Sequence, residues 1–115
     1  MPVPSAAAPV DYDRVINAVR LELAEAGNPA FTIVIVDADG EVHLAPMVFS
    51  AVGPVGDHAR RMAAQVQPGE TLLIVSRQAS GRRQAFDILD PGTLRRLHRQ
   101  DEVIEASFVE TDGPI

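Results

Sequence analysis

The segment FTIVIVDADGEVHLAP, residues 31–46, constrains this chain more than any other. Its first six residues are apolar or β-branched and run straight into turn residues, which is the pattern of a buried strand. Asp39-Gly40 predicts a type I′ turn, because both central positions of that turn need positive φ and Asp and Gly tolerate it. Beyond the turn, Glu41-Val42-His43-Leu44 alternates polar and apolar, so the second strand has one wet face. The first strand has almost nothing to show to water and must be central, covered on both sides.

The cover comes from helical periodicity on either side. Tyr12, Val15, Ile16, Val19 and Leu23 fall at i, i+3, i+4, i+7 and i+11, one apolar face of a helix over 11–26. Gly27 stands at its C-terminal cap and Pro29 stops it. After Gly53-Pro54, Val55, Ala59, Met62, Ala63 and Val66 predict a second helix that ends before Pro68-Gly69. Residues 47–52 extend the second strand or form a loop. Glu70–Ser76 is a further buried strand, Arg77–Arg83 a polar loop, and QAFDIL a short strand. Asp90-Pro91 pairs an N-cap residue with proline at the first helical position, predicting a third helix to about Gln100, with a last strand over Glu102–Glu110.

The expected fold is thus α+β, in the order α-β-β-α-β-(β)-α-β, a mostly antiparallel sheet packed against helices on one or both faces. Residues 1–10, rich in Pro and Ala, are expected as a mobile tail, 11–110 as a single domain, and 111–115 as a C-terminal tail.

Residue content narrows the function classes. The chain of 115 residues has no cysteine, which removes disulfides, thiolate nucleophiles and Cys-based metal sites. All ten basic residues are arginine, so no lysine is present for a Schiff base or a phosphate loop, a usage that fits a GC-rich, bacterial-like genome. Nothing resembles an apolar span or a leader, so a soluble cytoplasmic protein without a membrane role is expected. The net charge of −6 is uneven: residues 1–59 carry −6, 60–99 carry +5, and 100–115 carry −5.

Asp37-Ala38-Asp39-Gly40 after an apolar strand resembles the DxDG nucleophile motif of haloacid-dehalogenase phosphatases. That family also needs a lysine and a later acidic pair for magnesium, and this chain has no lysine. The same four residues serve a tight turn. From Phe31 to Glu110 the element order resembles a JAB-type zinc isopeptidase, whose His-x-His-Pro-Ser-Gly loop would fall on Ser76–Gly81. Only Ser80 and Gly81 match; Ser76 and Gln78 occupy the histidine positions, so the resemblance implies an inactive scaffold without zinc. His43, His58 and His98 lie 15 and 40 residues apart, too far for a local ligand pair. Neither Ser76 nor Ser80 sits in a Gly-x-Ser-x-Gly elbow, and the acidic pairs Asp101-Glu102 and Asp87-Asp90 have solvated surface as their simplest reading. No catalytic residue, cofactor or metal is assigned.

What remains is arginine. Arg77, Arg82 and Arg83 fall in one expected loop with Ser80 and Gly81, a set able to hold an anion, and Arg95, Arg96 and Arg99 on the expected third helix could extend it. Solvation of the turn, or pairing with the acidic flanks, uses the same residues. The leading expectation is a non-catalytic interaction or regulatory domain with a protein partner or a second copy of itself. Binding of phosphate or nucleic acid through the arginines is the alternative, and the inactive JAB-like scaffold the third. Without Cys or closely spaced His, the protein should retain no stoichiometric zinc after dialysis against chelator. Elemental analysis finding one zinc per chain would contradict this.

Overall fold

The computed structural model describes residues 10–104. Most of the expected N-terminal tail, the C-terminal tail and residues 105–110 of the expected last strand lie outside them. The fold is α+β: helix α1 (Tyr12–Ala24), strands β1 (Ala30–Val36) and β2 (Val42–Phe49), helix α2 (Val52–Ala63), and strands β3 (Thr71–Ser80), β4 (Arg83–Leu89) and β5 (Arg96–Val103). The five strands form one antiparallel sheet in the order β2-β1-β3-β4-β5. No helix among the described residues is long and apolar enough to cross a membrane.

Strand β1 lies inside the sheet between β2 and β3, and because side chains alternate across a strand its two sets feed two cores. Ala30, Val34 and Val36 join Leu73, Val75, Phe86 and Ile88 beneath Val15, Ile16, Val19 and Leu23 of α1. Phe31 and Ile33 join Leu72 and Ile74 beneath Val55 and Ala59 of α2. Each fully buried aliphatic side chain contributes about 1.5–3 kcal/mol, so the α1 core, with more of them, is the principal one. The Asp11 carboxylate caps α1 by accepting from the Arg14 N–H. Helix α2 starts at Val52, ahead of Gly53-Pro54 and not after it. Proline fits there because the first-turn N–H groups have no helical partner to lose.

The β1–β2 connection is a hairpin turn at Asp39-Gly40, but not type I′. Gly40 has φ 87°, whereas Asp39 keeps negative φ. The Gly40 N–H donates to the Asp37 carbonyl and the Asp37 N–H to the Glu41 carbonyl, each at 2.9 Å, the three-residue form with a left-handed glycine. Asp37 Oδ1 accepts from the Asp39 and Glu41 N–H groups, and Oδ2 pairs with His43 Nε2 at 2.9 Å. The His43 bond, then the Glu41 N–H, hold the Asp37 carboxyl below its ordinary value.

Two expectations are corrected beyond β3. The polar stretch Arg77–Arg83 is not a loop: Arg77–Ser80 continue β3 and Arg83 opens β4, leaving a two-residue turn at Gly81-Arg82. Nor is there a third helix, because Asp90 serves a tight turn. Its carboxylate accepts from the Thr93 N–H and hydroxyl at 2.9 Å, its carbonyl takes the Leu94 N–H, and its own N–H donates to Arg95. The two Thr93 bonds hold Asp90 below the usual carboxylate range. Leu94 then adopts φ 63°, which no right-handed helix can contain, and its side chain packs into the α2 core. Residues 96–103 return along β4 as β5, with His98 stacked on Tyr12 at 5.0 Å between ring centroids.

Strand β5 is tied to α1 through Glu102, which accepts from Arg20, from Gln84 at 3.0 Å and from Gln100 at 2.7 Å. Burial works to raise the Glu102 carboxyl, but those hydrogen bonds and the Arg20 charge outweigh it and hold it below the ordinary glutamate value. A carboxyl with a depressed folded pKa contributes stability above its unfolded pKa and loses it as pH falls through the folded one. Glu102→Gln should therefore cost on the order of 1 kcal/mol at neutral pH, with the deficit closing in acid. Melting curves across pH test this, and a deficit equal at every pH would exclude the carboxylate as its source. Gly40→Val should cost about 1 kcal/mol or more, since the obstacle is positive φ and not space: the nearest atom to an added Cβ is Arg14 Nη1 at 3.6 Å. An unchanged melting temperature would refute that account of the turn.

Candidate functional site

On the α2 side the sheet is covered only in part. Helix α2 seats on the apolar residues of β1 and the first half of β3. Farther along, this face carries Ser76, Gln78 and Ser80 from β3, Arg83, Ala85 and Asp87 from β4, and Arg99 and Asp101 from β5, brought level by the antiparallel register. Side chains this polar give a helix nothing to bury, and among the described residues no helix covers this part of the face.

The result is a cleft of about 590 Å³ lined by Asn28, Gln78, Ser80, Arg83, Arg99 and Asp101, among others. Its wall is fixed by an amide that imitates a strand. Asn28 Nδ2 donates to the Ala79 carbonyl at 2.8 Å, and the Ala79 N–H donates to Asn28 Oδ1 at 3.0 Å. The side chain thus continues the β1–β3 ladder beyond its last backbone pair, Ala30 with Arg77. The cleft floor meets a two-residue hairpin turn, where Gly81 has φ 61° and Arg82 does not share the positive φ. Glycine first and an ordinary residue second is the type II′ requirement.

Electrostatically the cleft is mixed. Asp87, 8% exposed, lies 3.7 Å from Arg96 Nη1 and 3.3 Å from Arg99 Nη1, and Arg99 Nε reaches Asp101 at 3.2 Å. A carboxylate buried this far requires such partners. Arg96 and Arg99 are therefore largely spent on Asp87 and Asp101. Arg83 forms no ion pair with a carboxylate among the described residues and stands beside the Ser80 hydroxyl and Gln78 amide. Among the described residues the lining holds hydrogen-bond donors and one guanidinium without a carboxylate partner, with no histidine to activate Ser80.

Of the residues singled out in the sequence, Ser80, Arg83 and Arg99 meet in the cleft, and Gly81 and Arg82 form the adjoining turn. Arg77 is elsewhere. One residue out of phase with Gln78, it turns to the α1 side, is 7% exposed, and donates to the Ala26 carbonyl just past α1 at 3.3 Å. A guanidinium there complements the negative end of the helix. Arg95 lies exposed in the β4–β5 turn, at the opposite end of the hairpin. Asn28 was not foreseen, Gln78 was named only at a JAB histidine position, and Asp87 and Asp101 were read as solvated surface, which is wrong for Asp87 at 8% exposed. An aspartate inside the apolar run of QAFDIL was the available sign for Asp87; Asn28 offered none.

The two sequence resemblances meet plain geometry. The Asp37 carboxylate is occupied by the turn and by His43, and Ser76 and Gln78 lie within β3 and not in a loop. Among the described residues no group of three or more His, Asp or Glu gathers as a metal site would need. Comparison with known proteins finds no matching family model, curated protein or solved structure.

Proposed function

We propose that this domain is a non-catalytic protein-interaction module whose cleft receives an extended acidic segment of a protein partner. The observation behind the reading is Arg83, which among the described residues is free of carboxylates and lies with Ser80 and Gln78 on a sheet face that no described helix covers. An extended segment would lie over the strands, giving a carboxylate to Arg83 and backbone groups to the two polar side chains. A nucleic acid is disfavoured by the same lining. Its backbone asks for several cations in a row, whereas Asp101 stands in the cleft, Asp87 pairs with Arg99, and no aromatic ring among the described residues lines the cleft for a base to stack on. A cytoplasmic setting goes with the reading, because a chain without cysteine gains nothing from an oxidising compartment.

Amide NMR titration of the full chain at low salt tests the proposal, with a glutamate-rich peptide, inorganic phosphate and a short oligonucleotide as probes. The peptide should shift residues 78–84 and 99–101, and Arg83→Glu should weaken it about tenfold or more, the loss of one charge-assisted contact. No peptide shift at low salt, where screening is weakest, would refute the proposal. Stronger shifts of the same amides by phosphate or oligonucleotide would replace it with the anion-binding alternative.

A further inference from the structure

Among the described residues the sheet has two edges, and they differ. Edge strand β2 carries Pro46 in its interior, a residue with no N–H to offer a further strand. Edge strand β5 has no proline. The Ile104 N–H donates to the Arg82 carbonyl at 2.6 Å, so by the alternation of an antiparallel ladder the even positions of β5 bond to β4. The backbone groups of Arg99, Asp101 and Val103 therefore point outward, away from the sheet, while a bulge opposite Ile88–Leu89 breaks the alternation at Leu97.

The order of side chains along this edge is the telling feature. Reading outward from Gln100 in both directions gives Arg99 against Asp101, His98 against Glu102, and Leu97 against Val103. The first pair sets a basic residue against an acidic one, His98 and Glu102 are engaged within the chain by Tyr12 and Arg20, and the last pair joins the only two large apolar side chains on β5 that are markedly exposed, at 45% and 62%. We infer that β5 pairs antiparallel with β5 of a second copy of this chain, about a two-fold axis at Gln100, to make one continuous ten-stranded sheet.

Register supports this pairing over its neighbours. In it the outward-facing backbone of Arg99 meets that of Asp101 of the second copy, so the ladder closes with opposite charges abreast. Sliding the strands by two residues sets Arg99 against Arg99 or Asp101 against Asp101. A slide by one matches outward-facing backbone groups with inward-facing ones, and no ladder forms. Charges that merely guarded an edge would need no such mirror order. An isologous two-fold contact does, because each patch must complement itself. The inference does not rest on the acidic-segment reading, although Arg99 and Asp101 also border the cleft, so that pairing would bring two clefts side by side.

The cysteine-free chain makes the test direct. Gln100 meets its own copy at a non-hydrogen-bonded position, where facing Cα atoms lie about 4.5 Å apart, within disulfide reach. Gln100→Cys should therefore oxidise in air to a linked species of twice the 12.3 kDa chain mass, as seen on a non-reducing gel. Leu97→Cys should not, because its own copy lies six residues along the strand, roughly 20 Å away. Light scattering on the unmodified chain at NMR concentrations should give the doubled mass, whatever the behaviour of the variants. A monomeric mass, or Leu97→Cys linking as readily as Gln100→Cys, would overturn the inference. A monomer that still bound the acidic peptide would remove the dimer and leave the cleft reading standing.

Discussion

Everything in this domain hangs on β1 having no face to spare for water. Its one polar side chain, Thr32, is fully buried and spends its hydroxyl on the Met47 carbonyl at 3.2 Å. Such a strand is stable only with sheet on both edges and a helix on each face, and β2, β3, α1 and α2 are the elements that supply them. The cover is unequal because the helices are. α1 brings four fully buried large side chains and reaches across to Phe86 and Ile88 of β4, whereas α2 brings Val55 and Ala59 and stops at β3, apart from partly buried Leu89 and Leu94 at its margin. The cleft is the part of the α2 face that this shorter core leaves uncovered.

Buried charge sets the register of the outer strands. Arg77 and Asp87 lie on opposite faces of the β3–β4 pair, each nearly removed from solvent. A slip of one residue would carry Asp87 to the apolar α1 side and Arg77 away from the Ala26 carbonyl, leaving two uncompensated ions. These groups do more to exclude wrong pairings than to add stability, since a buried ion pair recovers little beyond its own desolvation.

How much of this was legible in the sequence depended on how local the signal was. Helix α1 was legible from its apolar period and the stop at Pro29, although its C-cap is Glu25 and not Gly27, and the β1–β2 hairpin because Asp39-Gly40 has few other uses. The turn type was not, since it is decided by the Asp37 carboxylate bonding two backbone amides. Asp90-Pro91 misled for a physical reason: a carboxylate that accepts from the third following N–H opens a helix and a tight turn alike, and only Leu94 at positive φ separates them. The stretch Arg77–Ser80 looked like a loop because polarity normally marks exposure to water on all sides, whereas here it marks one uncovered face of a strand. The candidate site followed the same rule. Ser80, Arg83 and Arg99 could be picked by chemistry, but strand parity, invisible until β3 was known to run on to Ser80, sent Arg77 to the other side.

The strand order also divides the chain in two. Hairpin β1–β2 and the meander β3–β4–β5 each close through short turns, while the β1–β3 ladder joins residues whose connection runs through β2, α2 and the Pro68-Gly69 turn. Short closures cost little chain entropy and long ones more, so that one ladder bears the largest share of the topological cost of folding. The Asn28 amide reaches Ala79 across the same seam. The two halves are complementary parts, and a backbone break between Ala63 and Thr71 would leave each with its local turns intact, to find the other through the β1–β3 ladder and the packing of α1 on β3 and β4.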